Sequence, residues 1–227
     1  MRFPVSEFAK LKERLIIYDC AIKTLKTRID IFFEDFSKFQ SYEPVEHIKT
    51  RLKSPESIAE KLHRQKLAVT SANACKYLTD IAGIRCICYY AKDIYYIADV
   101  LKGQPDINVI SEKDYVSNPK SSGYRSYHLI LEVPVYLTDR IEYIPVEVQI
   151  RTQAMDFWAT LEHKVKYKYK DEMPEHISAD LVDCAQKIAE IDERMHLIQD
   201  IIDLAYQHKD EHAAEDSSLI ERTFNFR

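Results

Sequence analysis

The stretch Val146–Arg151, which reads VEVQIR, alternates strictly between apolar and polar side chains. Successive side chains of a β-strand point to opposite faces of the sheet, so this strand has one apolar and one polar face. The apolar face belongs against a core. The polar face, with Glu147, Gln149 and Arg151, is either an exposed sheet surface or the wall of a site. A carboxylate on such a wall can serve as a metal ligand, a general base, or both.

Further strands and helices surround this stretch. The sequence predicts three strands and a weaker fourth, at 84–90, 124–131, 142–150 and 107–111. It predicts helices at 54–65, after Ser71, at 93–101 and at 151–170. Helices first, then strands alternating with helices, are typical of the α+β class with a mixed β-sheet flanked by helices.

Long helices are predicted at both ends of the chain. The N-terminal helix covers 1–42, where apolar residues recur at steps of three and four before Pro44. The C-terminal helix covers 176–210 and carries a heptad-like seam. The seam consists of Ile177, Leu181, Cys184, Ile188, Ile191, Met195, Ile198, Ile202 and Ala205. The seam either packs on its own domain or forms a subunit interface. The segment 213–227 is expected to be a flexible tail, and 1–227 to be a single domain.

Composition narrows the classes of protein. With 227 residues and 46% hydrophobic residues, the chain can form one well-packed core. A formal net charge of −5 argues against a surface that binds bulk polyanions, although a local basic cleft is compatible with it. No apolar run is long enough to span a membrane, and no secretory leader is present, so a cytoplasmic location is expected. The five cysteines have no disulfide or zinc spacing, and buried reduced thiols are expected for Cys86 and Cys88.

Phosphate-compatible side chains gather around the start of the helix predicted at 54–65. These are Arg51, Lys53, Ser57, Lys61 and Arg64. The first two lie in an extended lead-in, and the other three share one helix face beside a helix N-terminus, which itself favours anions. No glycine-rich phosphate loop is present, so side chains would have to hold the phosphates. The alternative interpretation is a solvated basic face.

Other candidate site residues flank the predicted strands. Asp80 precedes the strand at 84–90, where a carboxylate is suited to Mg²⁺ or to a simple cap. Arg85 begins that strand, and its guanidinium can stack on a nucleobase.

The segment that leads into the next strand is equally polar. Tyr124 can stack on a base, Lys113 and Lys120 can hold phosphates, and Gly123 permits a sharp entry into the strand. Downstream, Asp156 and His163 share a helix face; a structural role is the simpler interpretation for His163.

Four stretches in this order resemble the synthetase domain of the RelA/SpoT family. They are HIKTRLKSPESIAEKLHRQK, LTDIAGIRCICYY, KDYVSNPKSSGYRSYHLI and VEVQIRTQAMDFWATLEHKVKYK, and the corresponding core spans 47–170. The length and the C-terminal helix are similar to those of the small, single-domain alarmone synthetases. The resemblance implies a nucleotidyltransferase-like fold. It implies a GTP/GDP pyrophosphokinase that transfers pyrophosphate from ATP to the 3′-hydroxyl of GDP or GTP, or of GMP. The products would be (p)ppGpp, the alarmone of the stringent response, and AMP.

The resemblance also implies a role for each matching residue. The ATP-binding residues would be Arg51, Lys53, Ser57, Lys61, Arg64 and Arg85, the last stacking on adenine. The catalytic and Mg²⁺-binding residues would be Asp80 and Glu147, the latter also the candidate base. The residues that contact GDP or GTP would be Lys113, Lys120, Tyr124, Arg125, His128, Gln149 and Asp156. Ser122 and Ser111 differ from the residues usual in long family members, which leaves open how the acceptor nucleotide is bound.

The same resemblance bears on the binding partners and on whether the protein hydrolyses alarmone. It implies a homotetramer, with alarmone as an allosteric ligand and single-stranded RNA as a regulator, and no membrane partner. Long members also hydrolyse alarmone with a His-Asp pair, but the chain is short and contains no His-Asp dipeptide, so no hydrolase activity is expected. Two alternatives remain: a toxin-like relative that pyrophosphorylates the tRNA 3′ end, disfavoured by the net charge, and a non-enzymatic regulator that binds nucleotide or RNA.

Overall fold

The computed structural model describes residues 3–38, 43–169 and 173–224. Its strands are β1 Val45–Leu52, β2 Ala82–Cys88, β3 Asn108–Asp114, β4 Tyr127–Tyr136 and β5 Ile141–Thr152. They form one sheet in the order β1-β2-β5-β4-β3. Only β2 and β5 run parallel, and the other neighbours are antiparallel, so the mixed sheet is confirmed.

Six helices accompany the sheet. They are α1 Val5–Phe36, α2 Pro55–Arg64, α3 Ser71–Tyr77, α4 Ala91–Lys102, α5 Gln153–Tyr169 and α6 Glu175–Phe224. The predicted helix start at α2 is confirmed, because the Ser54 hydroxyl accepts a hydrogen bond from the backbone N–H of Ser57 behind Pro55. The arrangement confirms the α+β class with long terminal helices.

Strand β1 is the element that the sequence did not predict; its end was interpreted only as an extended lead-in to α2. It lies at the edge of the sheet, and most of its side chains are exposed or half-buried. Charged residues such as Lys49 and Arg51 therefore replace the apolar alternation that marks the central strands. Pairing with β2, rather than local propensity, holds this segment extended.

The apolar face of the sheet is covered by α1 and α4. The predicted stripe of α1 is confirmed where it is described. Its buried members include Leu11, Leu15, Tyr18, Ile22, Leu25 and Ile29. At the end of α1, Phe32 and Phe36 pack against Tyr96 of α4 with ring centroids 5.7 and 5.1 Å away. Residues 39–42 of the predicted N-terminal helix lie outside the described residues.

Cys86 and Cys88 are confirmed as buried free thiols under this layer. Burial raises the pKa of Cys86 to about 12, so it behaves as an apolar side chain.

The first half of α6 packs against α5 and the loop before β4. The indole N–H of Trp158 donates a hydrogen bond to the Leu181 carbonyl at 2.9 Å. Gly123 lies directly beneath Ala185 and has a positive φ of 87°. A Cβ atom at position 123 would lie 2.4 Å from the Ala185 Cβ. Glycine is therefore required both by the loop conformation and by the approach of α6.

The heptad-like seam of α6 divides into two parts. Leu181 and Ile188 pack on the protein's own domain with Trp158 and Ala185. From Ile191 onward the seam residues point to solvent, and Ile191 itself is 62% exposed. Packing on the same domain thus accounts for the first half only, and a subunit interface stays a prediction for the second.

The helix α6 also continues through most of the segment 213–227 for which a flexible tail was expected. The sequence contains no glycine or proline after Pro174, so it carries no strong helix-stop signal there. None of the helices that the structure describes combines the length and the apolar character needed to cross a membrane.

We expect Gly123→Ala to destabilise the fold by about 2 kcal/mol, because alanine is strained at positive φ and collides with Ala185. Urea unfolding followed by circular dichroism measures the loss. Gly103→Ala is the matched control, since Gly103 has a φ of −77° and should cost clearly less. Adding Ala185→Gly should restore part of the loss by removing the collision. Equal stability of both alanine variants would contradict this account.

Candidate active site

Polar residues are aligned in register across the sheet on the face opposite α1 and α4. One row crosses all five strands and contains Lys49, Arg85, Gln149, His128 and Lys113. The next row contains Arg51, Gly83 and Glu147. Residues that pair in register point to the same face of a sheet. The polar face of Val146–Arg151 is therefore the floor of a site rather than a solvated surface.

Two adjoining cavities lie over this floor. The first, of about 330 Å³, is lined mainly by Lys49, Arg51, Lys53, Asp80, Gly83, Arg85, Glu147 and Gln149. The second, of about 380 Å³, is lined by Tyr124 and Arg151 together with Thr160, Glu162, His163 and Lys164 of α5. Both cavities share Arg51, Arg85 and Gln149, so they are two halves of one cleft.

Asp80 lies in the loop before β2, between two lysines. Its Oδ2 accepts hydrogen bonds from Lys53 and Lys61, each at 2.5 Å. Burial opposes the charge on Asp80, but these two cations outweigh it and lower the pKa of the carboxyl below its ordinary value. The Oδ1 atom is buried and has no hydrogen-bond partner among the described residues. A buried carboxylate oxygen without a partner is suited to a cation that a ligand brings with it.

Glu147 projects from β5 near the junction of the two halves. Its Oε2 accepts a hydrogen bond from the Gln149 amide at 3.1 Å, and its Oε1 lies 3.6 Å from Nδ1 of His128. Burial and the charge of Asp80 raise the pKa of Glu147, but the hydrogen bonds from His128 and Gln149 outweigh them. The pKa therefore lies below its ordinary value, and Glu147 is ionised at neutral pH.

A carboxylate links the two halves of the cleft. Oδ1 of Asp156, in the first turn of α5, lies 3.1 Å from Nη1 of Arg85 and 3.3 Å from Nη1 of Arg151. Its Oδ2 lies 3.9 Å from Nζ of Lys49. Three cations on three strands are thus gathered around one carboxylate.

Tyr124 forms the wall of the second half. Its ring packs edge-on to His128, and its hydroxyl lies 2.9 Å from His128 Nε2. Lys120 Nζ lies 4.7 Å from the centre of the same ring. An aromatic face beside a lysine is suited to a nucleobase that carries phosphates.

Comparison with known proteins identifies the family to which the chain belongs. Residues 50–172 match the family model described as the region found in RelA / SpoT proteins. The chain belongs to the RelA/SpoT family of small alarmone synthetases. It is 42% identical to the GTP pyrophosphokinase YwaC of Bacillus subtilis over 192 residues, which cover 85% of this chain and 91% of that protein.

Solved structures of family members share the fold. Small alarmone synthetase 1 from Bacillus subtilis bound to its product pppGpp superposes with a TM-score of 0.79 at 31% identity, covering 86% of this chain and 98% of that one. The same protein bound to AMPCPP gives a TM-score of 0.72 at 29% identity, again covering 86% and 98%.

Most residues that the family resemblance marked in this synthetase do lie in the cleft. Arg51, Lys53 and Arg85 line the first half, and Lys61 reaches it through Asp80. Tyr124 and Gln149 line the second half, with His128 bonded to Tyr124. Lys113 and Lys120 lie at its border, through the register with His128 and the contact with Tyr124.

Other marked residues lie apart from the cleft lining. Ser57 and Arg64 are on α2 and do not line either half; the Ser57 hydroxyl lies 3.2 Å from that of Ser54. Arg125 points away, because its Nη1 donates a hydrogen bond to the Val116 carbonyl and it lines a small cavity beneath α6. The assignment of Arg125 to the acceptor site therefore finds no support in its position.

Two cationic residues of the cleft lining, Lys49 and Arg151, were not selected as site residues from the sequence. Lys49 stands on the unpredicted strand β1, two residues before Arg51 on the same face. Arg151 was recognised as part of the polar face of β5 but given no role. Its side chain is 2% exposed and contacts Tyr124, Gln149 and Asp156. The strict alternation in Val146–Arg151 was the signal that could have placed Arg151 beside Glu147 and Gln149.

We expect Asp80→Asn to destabilise the protein by roughly 1–2 kcal/mol at neutral pH, because it leaves Lys53 and Lys61 facing each other without a counter-charge. The folded-state pKa of Asp80 is lowered, so this stabilisation is fully present above its ordinary value of 3.8 and is lost as the pH falls through the folded value. Urea unfolding between neutral and acidic pH measures both effects.

The matched control is Asp106→Asn, which breaks the more exposed pair with Arg28. We expect it to cost about 0.5 kcal/mol. A smaller loss of stability for Asp80→Asn than for Asp106→Asn would refute the stabilising role of the contacts between Asp80, Lys53 and Lys61.

Proposed function

We propose that the protein is a GTP pyrophosphokinase that transfers pyrophosphate from ATP to the 3′-hydroxyl of GDP or GTP and releases AMP. The observation that carries this proposal is the position of Glu147. Glu147 lines the half-cleft rich in cations and bonds to Gln149, which lines both that half and the half walled by an aromatic ring. Family membership supports the same activity, since the relatives are a GTP pyrophosphokinase and a synthetase with pppGpp as its product.

The first half of the cleft suits ATP. Arg51, Lys53 and Lys61 place three cations where a triphosphate can lie, and phosphoryl transfer depends mainly on such positioning and charge neutralisation. Arg85 stands on the floor, where its planar guanidinium can stack on adenine. Asp156 fixes that guanidinium from one side, which leaves its face available.

The second half suits the guanine nucleotide. Tyr124 offers its ring for stacking. Lys120 contacts that ring, and Lys113 pairs in register with His128, so both lysines are available to hold phosphates. The Gln149 amide lies between the two halves. An acceptor bound here can present its ribose toward Glu147, because the carboxylate bonds to Gln149 at the junction of the two halves.

Glu147 is the proposed base. It is ionised at neutral pH, so it can accept the proton of the 3′-hydroxyl as the hydroxyl oxygen attacks the β-phosphorus of ATP. The new O–P bond forms as the bond between the β-phosphorus and the oxygen bridging to the α-phosphate breaks. AMP leaves, and the diphosphate stays on the acceptor.

The residues present fit Mg²⁺. Asp80 Oδ1 is buried without a partner in the described part of the chain, and the carboxylates of Asp80 and Glu147 are close enough to influence each other's charge. Mg²⁺ is usually held by one or two carboxylates together with substrate phosphates. When bound, the ion would neutralise charge that develops on the transferred phosphates. Asp80 and Glu147 would hold it, while Lys53 and Lys61 remain for the phosphates.

The test is the product formed from purified protein, ATP, Mg²⁺ and GDP, GTP or GMP, separated by anion exchange. We expect (p)ppGpp and AMP in equal amounts, and no product after chelation of the metal. We expect Glu147→Gln to lower kcat at least about 100-fold while ATP still binds, because the amide cannot accept the proton. Glu132→Gln is the control, since among the described residues the Glu132 side chain bonds only to the exposed Asn108 at the sheet edge. A Glu147→Gln variant with substantial turnover would remove Glu147 from the base role.

A parallel reaction with deacylated tRNA in place of the guanine nucleotide examines the alternative acceptor. Pyrophosphorylated tRNA without (p)ppGpp would replace the proposed function. ATP binding without any transfer would instead favour the non-enzymatic regulator.

We also propose that the exposed second half of the α6 seam joins subunits, in the homotetramer that the resemblance implies. Ile191, Met195 and Ile198 are 62%, 54% and 44% exposed, and such contiguous apolar surface marks an interaction site. Alarmone as an allosteric ligand, single-stranded RNA as a regulator and a cytoplasmic location stay predictions.

We expect light scattering to show a tetramer at micromolar concentration, and Ile191→Asp combined with Ile198→Asp to dissociate it without unfolding the subunit. The added charges would be buried without partners at the interface. Ile141→Asp is the control, since Ile141 is equally exposed but lies on the sheet. A monomeric wild-type protein would exclude the interface.

A further inference from the structure

The side chains around Glu147 form a closed ring of five. Going around the ring, they are Glu147, Gln149, Arg151, Tyr124 and His128. Four links are hydrogen bonds between 2.6 and 3.1 Å, and the fifth is the 3.6 Å approach of His128 to Glu147. Both carboxylate oxygens of the proposed base are therefore contacted from the same ring.

Arg151 is the hub of this ring. A single nitrogen, Nη2, donates to Gln149 Oε1 at 2.6 Å and to the Tyr124 hydroxyl at 2.8 Å. The other terminal nitrogen, Nη1, lies 3.3 Å from Asp156 Oδ1, which supplies the counter-charge. The guanidinium is buried, and its planar fork fixes the angles between these partners.

The donors and acceptors of the ring can be assigned in one direction. Arginine only donates, so the Tyr124 oxygen accepts from Arg151. We assign the Tyr124 proton to the bond with His128 Nε2, in the histidine tautomer whose Nε2 is an acceptor. The remaining histidine proton then sits on Nδ1, facing Glu147 Oε1. On the other side, Gln149 accepts from Arg151 with its oxygen and must offer its amide N–H to Glu147 Oε2. Burial raises the pKa of Tyr124, which keeps its phenol protonated for this purpose.

We propose that Arg151 is a positioning residue that orients Glu147 through Gln149 on one side and through the Tyr124 hydroxyl and His128 on the other. The inference rests on the proposed function of Glu147 as base. It separates two roles of Tyr124: the ring face binds the acceptor, and the hydroxyl aligns the base. The side chain that recognises the guanine nucleotide is thereby tied to the side chain that activates its hydroxyl.

Removing the hydroxyl alone distinguishes these roles. Tyr124→Phe keeps the aromatic face and deletes one link of the ring. We expect kcat to fall about tenfold, with KM for GDP and for ATP within about twofold of wild type, because only the orientation of the base is lost. An effect on KM for GDP with unchanged kcat would overturn the proposal, since the hydroxyl would then serve binding only.

Tyr115→Phe is the matched control. The Tyr115 ring packs edge-on against His128 and Tyr124, but in the described part of the chain its hydroxyl bonds to no member of the ring of five. We expect its kcat to stay within about twofold of wild type, since no bond to the ring is deleted. An equal loss in both phenylalanine variants would show a general packing effect and would overturn the proposal.

A double-mutant cycle with Arg151→Lys tests the hub. Lysine keeps the charge but loses the planar fork, so kcat should fall at least as far as in Tyr124→Phe. Adding Tyr124→Phe to Arg151→Lys should then cost little more, because the ring is already open. If the double variant instead lowers kcat by the product of the two single losses, the proposed ring is refuted. Circular dichroism melting shows whether each variant has folded. If Arg151→Lys has not folded, the comparison of Tyr124→Phe with Tyr115→Phe tests the proposal by itself.

The outcomes keep the two proposals apart. If wild-type protein makes no (p)ppGpp, the proposed function fails and the ring has no base to orient. If wild type is active and Glu147→Gln is not, but Tyr124→Phe turns over like wild type, only the ring is refuted.

Discussion

The parallel pairing of β2 with β5 is the constraint on which the site depends. It places Gly83 beside Glu147 and Arg85 beside Gln149, and it brings the loop that carries Asp80 to the same edge. Antiparallel pairing with β1 and β4 then extends both rows. A slip of one residue in β5 would turn Glu147 into the core and Val146 into the cleft. The buried valines and isoleucines of β5 therefore fix the register on which the chemistry relies.

Before substrates bind, two carboxylates in the cleft each offset part of the charge of two neighbouring cations. Asp80 offsets Lys53 and Lys61 in one half, and Asp156 offsets Arg85 and Arg151 between the halves. Buried charges without such partners would cost several kcal/mol each. The two arrangements differ in exposure: the side chains of Lys53 and Lys61 are 13% and 25% exposed, while Arg151 is 2% exposed. The lysines can thus turn to a ligand, whereas Arg151 is confined to its internal partners.

Sequence patterns predicted the elements whose residues obey a simple period. The alternation of Val146–Arg151 and the stripe of α1 each depend on one buried face, and both are confirmed. Strand β1 was not predicted, because an edge strand needs no apolar alternation when a neighbouring strand supplies its hydrogen bonds. Arg125 was placed with the acceptor by family position, whereas in the structure its hydrogen bond to the Val116 carbonyl turns it away from the cleft. The ring around Glu147 could not be predicted, because it joins residues from two strands and a loop through side-chain rotamers that no periodicity encodes.

The charge of the whole protein and the charge of its cleft act in opposite directions. A net charge of −5 repels long polyanions at a distance, while the cleft concentrates Lys49, Arg51 and Arg85 on one floor. A nucleotide is small enough to lie wholly within that floor, so it experiences the local cations more than the distant acids. An RNA duplex extends far beyond it and also experiences the net negative charge of the whole protein, because screening by salt is incomplete over a Debye length of about 8 Å. The same electrostatics that admit two nucleotides side by side therefore disfavour a tRNA stem as the acceptor.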